Sequence, residues 1–153
     1  MQQSAGLLVF RRVEGRLEVF LVHPGGPYWA RKDAGAWTIP KGEFGEGEDA
    51  LEAAKREFRE ETSLGIEGRF APLDAVRQAG GKIVSAWAVE ADCDAASIRS
   101  NTFTLEWPPR SGRFREFPEV DRASWFTIAE ARERILPSQS PLLDQLEQLL
   151  RQA

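Results

Sequence analysis

The chain has 153 residues, which is the length of one domain and enough to form a hydrophobic core. Its formal net charge of −4 disfavours nucleic acid and anionic membrane surfaces as partners, and no apolar run approaches the roughly 18 residues that a membrane-spanning helix needs. Cys93 is the only cysteine, so an internal disulfide is excluded and a reducing cytoplasm is the expected compartment.

The first third of the chain is predicted to form strands and a long loop. Residues 6–10 and 17–23 are apolar runs of strand length, and Glu14-Gly15 between them is a turn signal. Residues 24–36 carry three glycines and are predicted to be a loop, which leads into a short strand at residues 37–39. The glycine-rich segment 40–48 can bend tightly and bring backbone groups near a ligand.

A helix is predicted to follow this segment. Asp49 with Glu52 three residues later has the spacing of an N-cap and capping box, so the helix should begin at about Asp49. It is expected to end near Ser63, with Gly65 available for a left-handed cap.

Three carboxylates of this helix, Glu57, Glu60 and Glu61, are spaced i, i+3 and i+4 and therefore lie side by side. Like charges at this spacing destabilise an isolated helix by roughly 0.2–0.5 kcal/mol per pair. Two interpretations are open: a solvated helix face, or a site for a cation between the carboxylates. Oxygen ligands point to a hard divalent ion such as Mg²⁺ or Mn²⁺, and Arg56 is placed to hold a carboxylate by charge-assisted hydrogen bonds.

The remaining faces of the helix favour the cation site. A mixed-charge solvent side is already made by Glu52, Lys55, Arg59 and Thr62. An apolar stripe is made by Leu51, Ala54 and Phe58. The three glutamates continue the line of Ala50 and Ala53 beside this stripe, where small residues would let the helix pack closely and turn its carboxylates into a cleft.

The second half of the chain is predicted to add strands and two helices. Residues 70–77 and 82–90 form a hairpin around Gly80-Gly81, and the second arm is nearly apolar on both faces, as a central strand would be. Residues 102–107 and 124–126 are further strand candidates. Thr127 with Glu130 is a capping-box pattern that opens a helix to about residue 136. A last helix begins at residues 140–141 and carries a stripe of leucines.

Residues 42–64 resemble the signature box of the Nudix hydrolases. The positions that carry the resemblance are Gly42, Glu48, Arg56, Glu57, the apolar Phe58, Glu60 and Glu61. One position differs, because Ser63 stands where the family usually has glycine, and this leaves the turn at the helix exit open. The resemblance implies a single domain over residues 1–153 with the α/β fold of the family, an α/β/α sandwich that has a mixed sheet and the signature loop-helix-loop.

The resemblance also implies roles within the box. Glu57, Glu60 and Glu61 are the expected principal metal ligands, and the backbone carbonyl of Lys41 is a further one. Glu48 is expected to support the metal cluster directly or through water, and Arg56 to orient the catalytic glutamates. In this family the bound ions activate a water that attacks a phosphorus of a nucleoside diphosphate linked to another group. Glu57 is a candidate for taking the proton of that water, although the family uses different bases.

Lysine directly before the signature glycine, in residues 37–42, is similar to the diadenosine tetraphosphate hydrolase branch of the family. Residues 125–131 also resemble that branch. The implied substrate is a dinucleoside polyphosphate, with diadenosine tetraphosphate cleaved to ATP and AMP. Beside a metal cluster, Lys41 makes chemical sense as a point charge on a polyphosphate chain, and an ordinary surface lysine is the alternative.

Two loops are candidates for the remaining substrate contacts. The loop at residues 23–36 contains Tyr28, Trp29, Arg31 and Lys32. The loop at residues 107–115 contains Arg110, Arg113 and Arg115. Arginine offers bidentate contacts to phosphate and exposed aromatic rings can stack on a base, whereas the competing interpretation is solvated charges and packed aromatics.

Three further residues have separate expectations. His23 is the only histidine, stands at a strand end, and is expected to be structural. Glu119 and Asp121 lie where some family members place an additional metal ligand or base.

Three other functions stay open from the sequence. The first is a nucleoside triphosphate or nucleotide-sugar pyrophosphohydrolase. The second is a module that senses a nucleotide without cleaving it, although such a module is expected to lack one of the box carboxylates. The third is an acidic helix that docks a protein partner, which leaves the glycine-rich approach unexplained. The expected partner is a small-molecule nucleotide polyphosphate, and the expected assembly is a monomer or a homodimer.

Overall fold

The computed structural model describes residues 2–152 and contains a mixed sheet with helices on both faces. The strands of the main sheet are β1 Gln3–Val13, β2 Arg16–Pro24, β3 Lys41–Glu43, β4 Ala71–Pro72, β5 Val76–Arg77, β6 Ile83–Glu90 and β9 Val120–Thr127. A separate two-stranded hairpin consists of β7 Thr102–Glu106 and β8 Phe114–Pro118. The helices are α1 Ala50–Thr62, α2 Ile128–Arg134 and α3 Ser140–Arg151.

Strand β1 lies at the centre of the main sheet, whose order is β4-β6-β1-β2-β9. It pairs in parallel with β6 and antiparallel with β2 and β3, which makes the sheet mixed as predicted. Strand β6 lies between β1 and the short edge strands β4 and β5, so the prediction of a central strand at residues 82–90 is confirmed. A strand with neighbours on both edges and helices over both faces needs apolar residues at nearly every position.

The two faces of β1 contact two different hydrophobic clusters. Leu7 points to the cluster that includes Ala54 and Phe58 of α1, whereas Leu8 points to the cluster that includes Leu143 of α3. This separation follows from the alternation of side chains along a strand. The α/β/α sandwich predicted from the sequence is therefore the observed fold, with α1 on one face of the sheet and α2 and α3 on the other.

Local turn and cap signals are confirmed where they were specific. Glu14 and Gly15 both have positive φ, 51° and 79°, as a two-residue hairpin turn between β1 and β2 requires. Gly80 and Gly81, with φ of 83° and 81°, turn the chain between β5 and β6. At the start of α2, the side chains and backbones of Thr127 and Glu130 form the full capping box.

Three predicted segments differ from the structure. Residues 37–39 are not a strand but form two isolated bridges, Val22↔Thr38 and Trp37↔Ile135, and the Ile39 N–H is bound by the Gln139 side chain. Residues 70–77 are split into β4 and β5, because the register to β6 shifts by one residue between Pro72↔Trp87 and Val76↔Val84, and the Asp74 N–H between them is bound by the Gln145 side chain. Residues 114–115 belong to strand β8, which the sequence analysis placed in a loop.

Among residues 2–152, no helix combines the length and the apolar character that crossing a membrane requires.

Phe58→Ala is expected to lower the free energy of unfolding by about 3–5 kcal/mol, because Phe58 is 1% exposed and packs against Phe20 with ring centroids 5.8 Å apart. Chemical denaturation monitored by circular dichroism measures this change. Phe114→Ala is the matched control, since Phe114 is 68% exposed, and it should change stability by less than about 0.5 kcal/mol. Equal losses in the two variants would contradict the assigned core.

Candidate metal and catalytic site

Helix α1 begins as predicted, but only the Asp49 half of the predicted capping box forms, and one residue of the predicted solvent side is buried. The Asp49 carboxylate accepts a hydrogen bond from the Glu52 backbone N–H at 3.1 Å, whereas the Glu52 side chain pairs with Lys55 at 3.2 Å. Thr62 was predicted on the solvent side and is fully buried, with its hydroxyl donating to the Phe58 carbonyl at 2.7 Å. The last turn of α1 therefore packs into the protein on the side that the periodicity assigned to solvent.

Ser63 ends α1 in the left-handed conformation that the sequence analysis assigned to Gly65. Its φ is 63°, and its N–H donates to the Arg59 carbonyl at 2.7 Å. A residue with a Cβ is disfavoured in this conformation. The Ser63 hydroxyl donates to the Arg99 carbonyl and holds the turn in place. The replacement of the usual glycine thus leaves the helix exit formed and ties it to the segment that precedes β7.

Arg56 lies at the centre of the carboxylate cluster. Its guanidinium binds both oxygens of Glu48, through Nε at 2.9 Å and through a terminal nitrogen at 3.1 Å. The other terminal nitrogen donates to Glu57 at 2.8 Å and to Glu60 at 3.2 Å. These bonds, with those to Glu48 first, raise the pKa of Arg56 above its ordinary value. Arg56 therefore binds Glu48, Glu57 and Glu60 together, and its role in orienting the glutamates for catalysis stays a prediction.

Glu61 is the most deeply buried carboxylate of the cluster, with 8% of its surface exposed. One carboxylate oxygen accepts a hydrogen bond from the Lys41 backbone N–H at 3.2 Å. Burial raises the pKa of Glu61 to about 8, the positive charge of Lys41 opposes this shift, and the negative charge of Glu57 adds to it. The anionic form of Glu61 is thus only partly compensated by its protein neighbours.

Glu57 explains why the box needs a glycine. In β3, Gly42 lies opposite Ala5, and its backbone is so close to Glu57 that a Cβ at residue 42 would overlap the Glu57 carboxylate. Burial raises the pKa of Glu57, and the hydrogen bond from Arg56 opposes that shift. The absence of a side chain at Gly42 therefore creates the space that Glu57 occupies.

Glu119 joins this cluster, whereas Asp121 does not. Burial raises the pKa of Glu119, and the negative charge of Glu60 raises it further. The Asp121 carboxylate lies 2.8 Å from Nδ1 of His23, and Nε2 of His23 lies 2.6 Å from the Lys32 carbonyl. His23 is fully buried, and its two ring nitrogens link Lys32, in the loop after β2, to Asp121 in β9, as expected of a structural histidine.

The donor chemistry of the cluster fits a hard divalent cation. Within the described range, residues 2–152, no three carboxylate, imidazole or thiol side chains are arranged as metal ligands. Three of the box glutamates, Glu48, Glu57 and Glu60, are bound by Arg56. All available donors are oxygens, which Mg²⁺ and Mn²⁺ prefer. Glu57, Glu61 and Glu119 all have a pKa raised chiefly by burial, so each lacks part of the positive charge that its anionic form needs.

Lys41 and Lys82 lie together at one edge of this site. Lys41 is half-buried, and burial is the main cause that lowers its pKa, with a further lowering by the positive charge of Lys82. Lys82 also pairs with Glu43 at 3.3 Å. In the sequence, Lys82 stands at the start of a predicted strand and has no motif around it. The pairing of β1 with β3 and β6 brings Lys82 beside Lys41.

The candidate substrate residues of the two loops are exposed, and two of them contact aromatic rings. Tyr28 is 57% exposed and its ring contacts Trp107 edge-on, with centroids 5.2 Å apart. The Lys32 ammonium lies over the Trp29 ring at 4.9 Å, and Arg31 is exposed. The connection between β7 and β8 contains Arg110 and Arg113, both exposed.

Gly42→Ala is expected to displace Glu57 from the cluster, because the added methyl group overlaps the Glu57 carboxylate. The affinity for Mn²⁺, measured by calorimetric titration, should fall at least tenfold. Gly45→Ala is the control in the same glycine-rich segment, since a Cβ at Gly45 meets no atom within 4 Å. Unchanged Mn²⁺ affinity in Gly42→Ala would show that Glu57 does not contribute to the binding of this ion.

The stability of the metal-free protein is expected to fall as the pH rises from about 5 to about 8. The folded-state pKa of Glu61 is about 8, against an ordinary value of 4.5, so in this range the folded chain binds more protons than the unfolded chain. Thermal unfolding in a chelator should give a melting temperature that decreases over this range, and Glu61→Gln should flatten the decrease. The same pH slope in the wild type and in Glu61→Gln would contradict the buried, proton-binding carboxylate.

Comparison with known proteins agrees with the box and with the fold. A family model described as the NUDIX domain matches residues 1–146. A curated Bis(5'-nucleosyl)-tetraphosphatase [asymmetrical] from Caenorhabditis elegans is 36% identical over 62 residues, which span 40% of this chain and 41% of that protein.

Solved structures give the same fold over the whole length. The crystal structure of a C. elegans Ap4A hydrolase binary complex matches with a TM-score of 0.71 and 22% identity, covering 100% of both chains. The NUDIX domain of Shewanella oneidensis NrtR, complexed with ADP ribose, matches with a TM-score of 0.68 and 17% identity, covering 97% of this chain and 87% of the other. The chain therefore belongs to the Nudix family of hydrolases.

Proposed function

We propose that this chain is a metal-dependent pyrophosphohydrolase that cleaves a phosphoanhydride bond in a nucleoside diphosphate linked to another group. The observation that carries this proposal is the carboxylate cluster, in which Arg56 binds Glu57 and Glu60 and the charge of Glu57 acts on Glu61, which is buried and has its pKa raised to about 8. A binding helix without metal chemistry has no reason to bury carboxylates in this way, because burial of a charge costs free energy unless it is compensated.

The residues that would hold the ion are those of the box. Glu57, Glu60 and Glu61 are the proposed principal ligands, and Glu48 supports them. The Lys41 backbone lies beside Glu61, which favours its carbonyl as a further ligand. When bound, Mg²⁺ or Mn²⁺ supplies the neutralisation of phosphate oxygens and the acidification of water that phosphoryl transfer needs.

The protein residues supply orientation and proton transfer. Arg56 positions the glutamates by bonds of 2.8–3.3 Å. Glu57 and Glu119 are the proposed proton acceptors for the attacking water, since burial raises the pKa of each toward the range in which a carboxylate accepts a proton readily. The water oxygen forms a new bond to phosphorus, the bridging oxygen leaves with the departing nucleotide, and the proton moves to one of these glutamates.

The proposed substrate is a dinucleoside polyphosphate, with diadenosine tetraphosphate and water giving ATP and AMP. The named activity of the C. elegans relative supports it, as does the structural match to the C. elegans Ap4A hydrolase. Lys41 and Lys82 support it physically, because they place two positive charges beside the carboxylates of an acidic chain. A cytoplasmic location and a monomeric or homodimeric state stay predictions.

A second candidate is hydrolysis of a nucleotide sugar, which the ADP-ribose complex of the NrtR domain favours. Product analysis separates the remaining alternatives from these two substrates. A nucleoside triphosphate gives a monophosphate and pyrophosphate, whereas a non-catalytic sensor gives binding without turnover.

The first experiment is a panel of diadenosine polyphosphates, nucleoside triphosphates and nucleotide sugars with Mg²⁺ or Mn²⁺, with products identified by mass. We expect ATP and AMP from diadenosine tetraphosphate, and turnover should fall by about 10²–10³-fold or more in Glu57→Gln and Glu61→Gln. Glu52→Gln on the exposed side of α1 is the control and should retain activity. Full activity in both box variants would refute the metal-site assignment.

Lys41→Ala is expected to raise KM for a dinucleoside polyphosphate more than it lowers stability. The Lys41 side chain contributes charge to the site, whereas its contact with Glu61 is made by the backbone N–H, which alanine retains. Steady-state kinetics and thermal unfolding of the same preparation measure the two effects. An unchanged KM would remove Lys41 from the substrate site.

A further inference from the structure

The β7–β8 hairpin begins at the carboxylate cluster. Asn101 donates its backbone N–H to the Glu60 carbonyl at 2.9 Å, and Glu119 donates its own to the Asn101 carbonyl at 2.8 Å. The pairing of Phe103 with Phe117 therefore continues, in the same register, to Asn101 and Glu119 at the base of the hairpin. The base of the hairpin is therefore attached to the backbone of Glu60, a residue of the carboxylate cluster, and ends at Glu119.

The register of the hairpin sorts its side chains onto two faces. Successive residues of a strand point to opposite sides, so alternate residues share a face. One face, which we call the arginine face, consists of Phe103, Leu105, Trp107, Arg113, Arg115 and Phe117. The opposite face carries Glu106 and Glu116. The hairpin thus separates its arginines from its glutamates, which the order of residues in the chain does not show.

Contacts between side chains confirm this assignment of faces. The rings of Phe103 and Phe117 lie together with centroids 6.0 Å apart, and the Arg115 guanidinium lies over the Phe117 ring at 5.5 Å. Trp107 donates its backbone N–H to the Arg113 carbonyl at 2.8 Å, which extends the register to these two residues.

The loop after β2 contacts the arginine face at Phe103 and Trp107 and meets the end of β8 at Pro118. Gly26 lies against the Phe103 ring so closely that a Cβ there would be 2.9 Å from it, and Tyr28 contacts Trp107. On the β8 half, Arg113 and Arg115 are exposed, and within residues 2–152 neither side chain forms an ion pair. Tyr28 is itself 57% exposed, and its ring contacts Trp107, which pairs with Arg113 across the hairpin.

The spacing along β8 gives the reach of this surface. At about 3.3 Å per residue, Arg115 lies roughly 13 Å and Arg113 roughly 20 Å from Glu119 along the strand. One guanidinium group can donate two hydrogen bonds to a phosphate, and exposed aromatic rings stack on bases. An acidic chain also needs local positive charge to hold a polyanion.

We propose that the arginine face and Tyr28 bind the distal phosphates and terminal nucleoside of a dinucleoside polyphosphate whose reacting phosphate lies at the carboxylate cluster. This inference rests on the proposed function and assigns it a set of specificity residues. It adds Trp107 to the substrate contacts and keeps Arg113, Arg115 and Tyr28 of the sequence-based candidates. Arg110 leaves the set, because it lies in the turn, where its φ is 62° and its backbone N–H is bound by Glu106.

Binding of a methylene-bridged diadenosine tetraphosphate, which resists hydrolysis, tests the inference independently of turnover. Calorimetric titration with Mg²⁺ should show affinity about tenfold weaker in Arg113→Ala, in Arg115→Ala and in Tyr28→Ala than in the wild type. Arg16→Ala is the matched control, since Arg16 is exposed at the β1–β2 turn, the end of β1 remote from β3, and it should bind like the wild type. Wild-type affinity in both arginine variants would overturn the inference.

The indole N–H resonance of Trp107 gives the position of the ligand directly. Comparison of the wild type with Trp107→Phe assigns this resonance among the five tryptophans. It should shift during titration with the analogue, with the same dissociation constant as the calorimetric one. A saturating ligand that leaves this resonance unmoved would place the second nucleotide elsewhere and overturn the inference.

Different results refute the proposed function and the proposed binding by the arginine face. Tight binding of the analogue with a shifted Trp107 resonance, but without hydrolysis of diadenosine tetraphosphate, would refute the proposed function and support the arginine face. Hydrolysis to ATP and AMP with unchanged binding in the arginine variants would support the function and refute the arginine face. Absence of analogue binding to the wild type would refute the arginine face.

Discussion

Burial of carboxylates at the end of α1 is the constraint on which the rest of this structure depends. Glu61 is nearly inaccessible and Glu57 is half-buried, although neither has a full complement of positive charge around it. A buried carboxylate that is not compensated shifts its pKa upward, which costs stability at neutral pH. A cation bound between the carboxylates, as proposed, would recover that free energy.

The main sheet provides the geometry for this arrangement. Because β3 pairs with the first residues of β1, Gly42 faces α1 and leaves room for Glu57, while its neighbour Lys41 takes the opposite side and directs its backbone N–H to Glu61. The parallel pairing of β1 with β6 then brings Lys82 beside Lys41. Positive charge thus reaches an acidic site through strand pairing, from two lysines that are 41 positions apart in the chain.

The β7–β8 hairpin solves a second electrostatic problem. A chain with a net charge of −4 repels a polyphosphate at long range, so affinity has to come from local charge. The alternation of side chains collects Arg113 and Arg115 on one face and places Glu106 and Glu116 on the other. The backbone bonds of Asn101 attach the base of the hairpin to α1 at Glu60 and to Glu119.

The sequence by itself determined the features that depend on near neighbours in the chain. The helical spacing of Glu57, Glu60 and Glu61, the N-cap at Asp49 and the turn at residues 14–15 all rest on short-range geometry, and the structure contains each of them. The family followed from the same box, since its spacing is specific. The roles of the box residues as ligands stay predictions.

Only the tertiary structure decided what depends on pairing between distant segments. The periodicity of α1 could not show that Thr62 is buried, because residues 99–101 cover it. The sequence also could not separate Glu119, which lies near Glu60, from Asp121, which binds His23. The grouping of Arg113 with Arg115 and Trp107 required the register of β7 and β8, and register is set by which residues meet across two strands, a property that neither strand has alone.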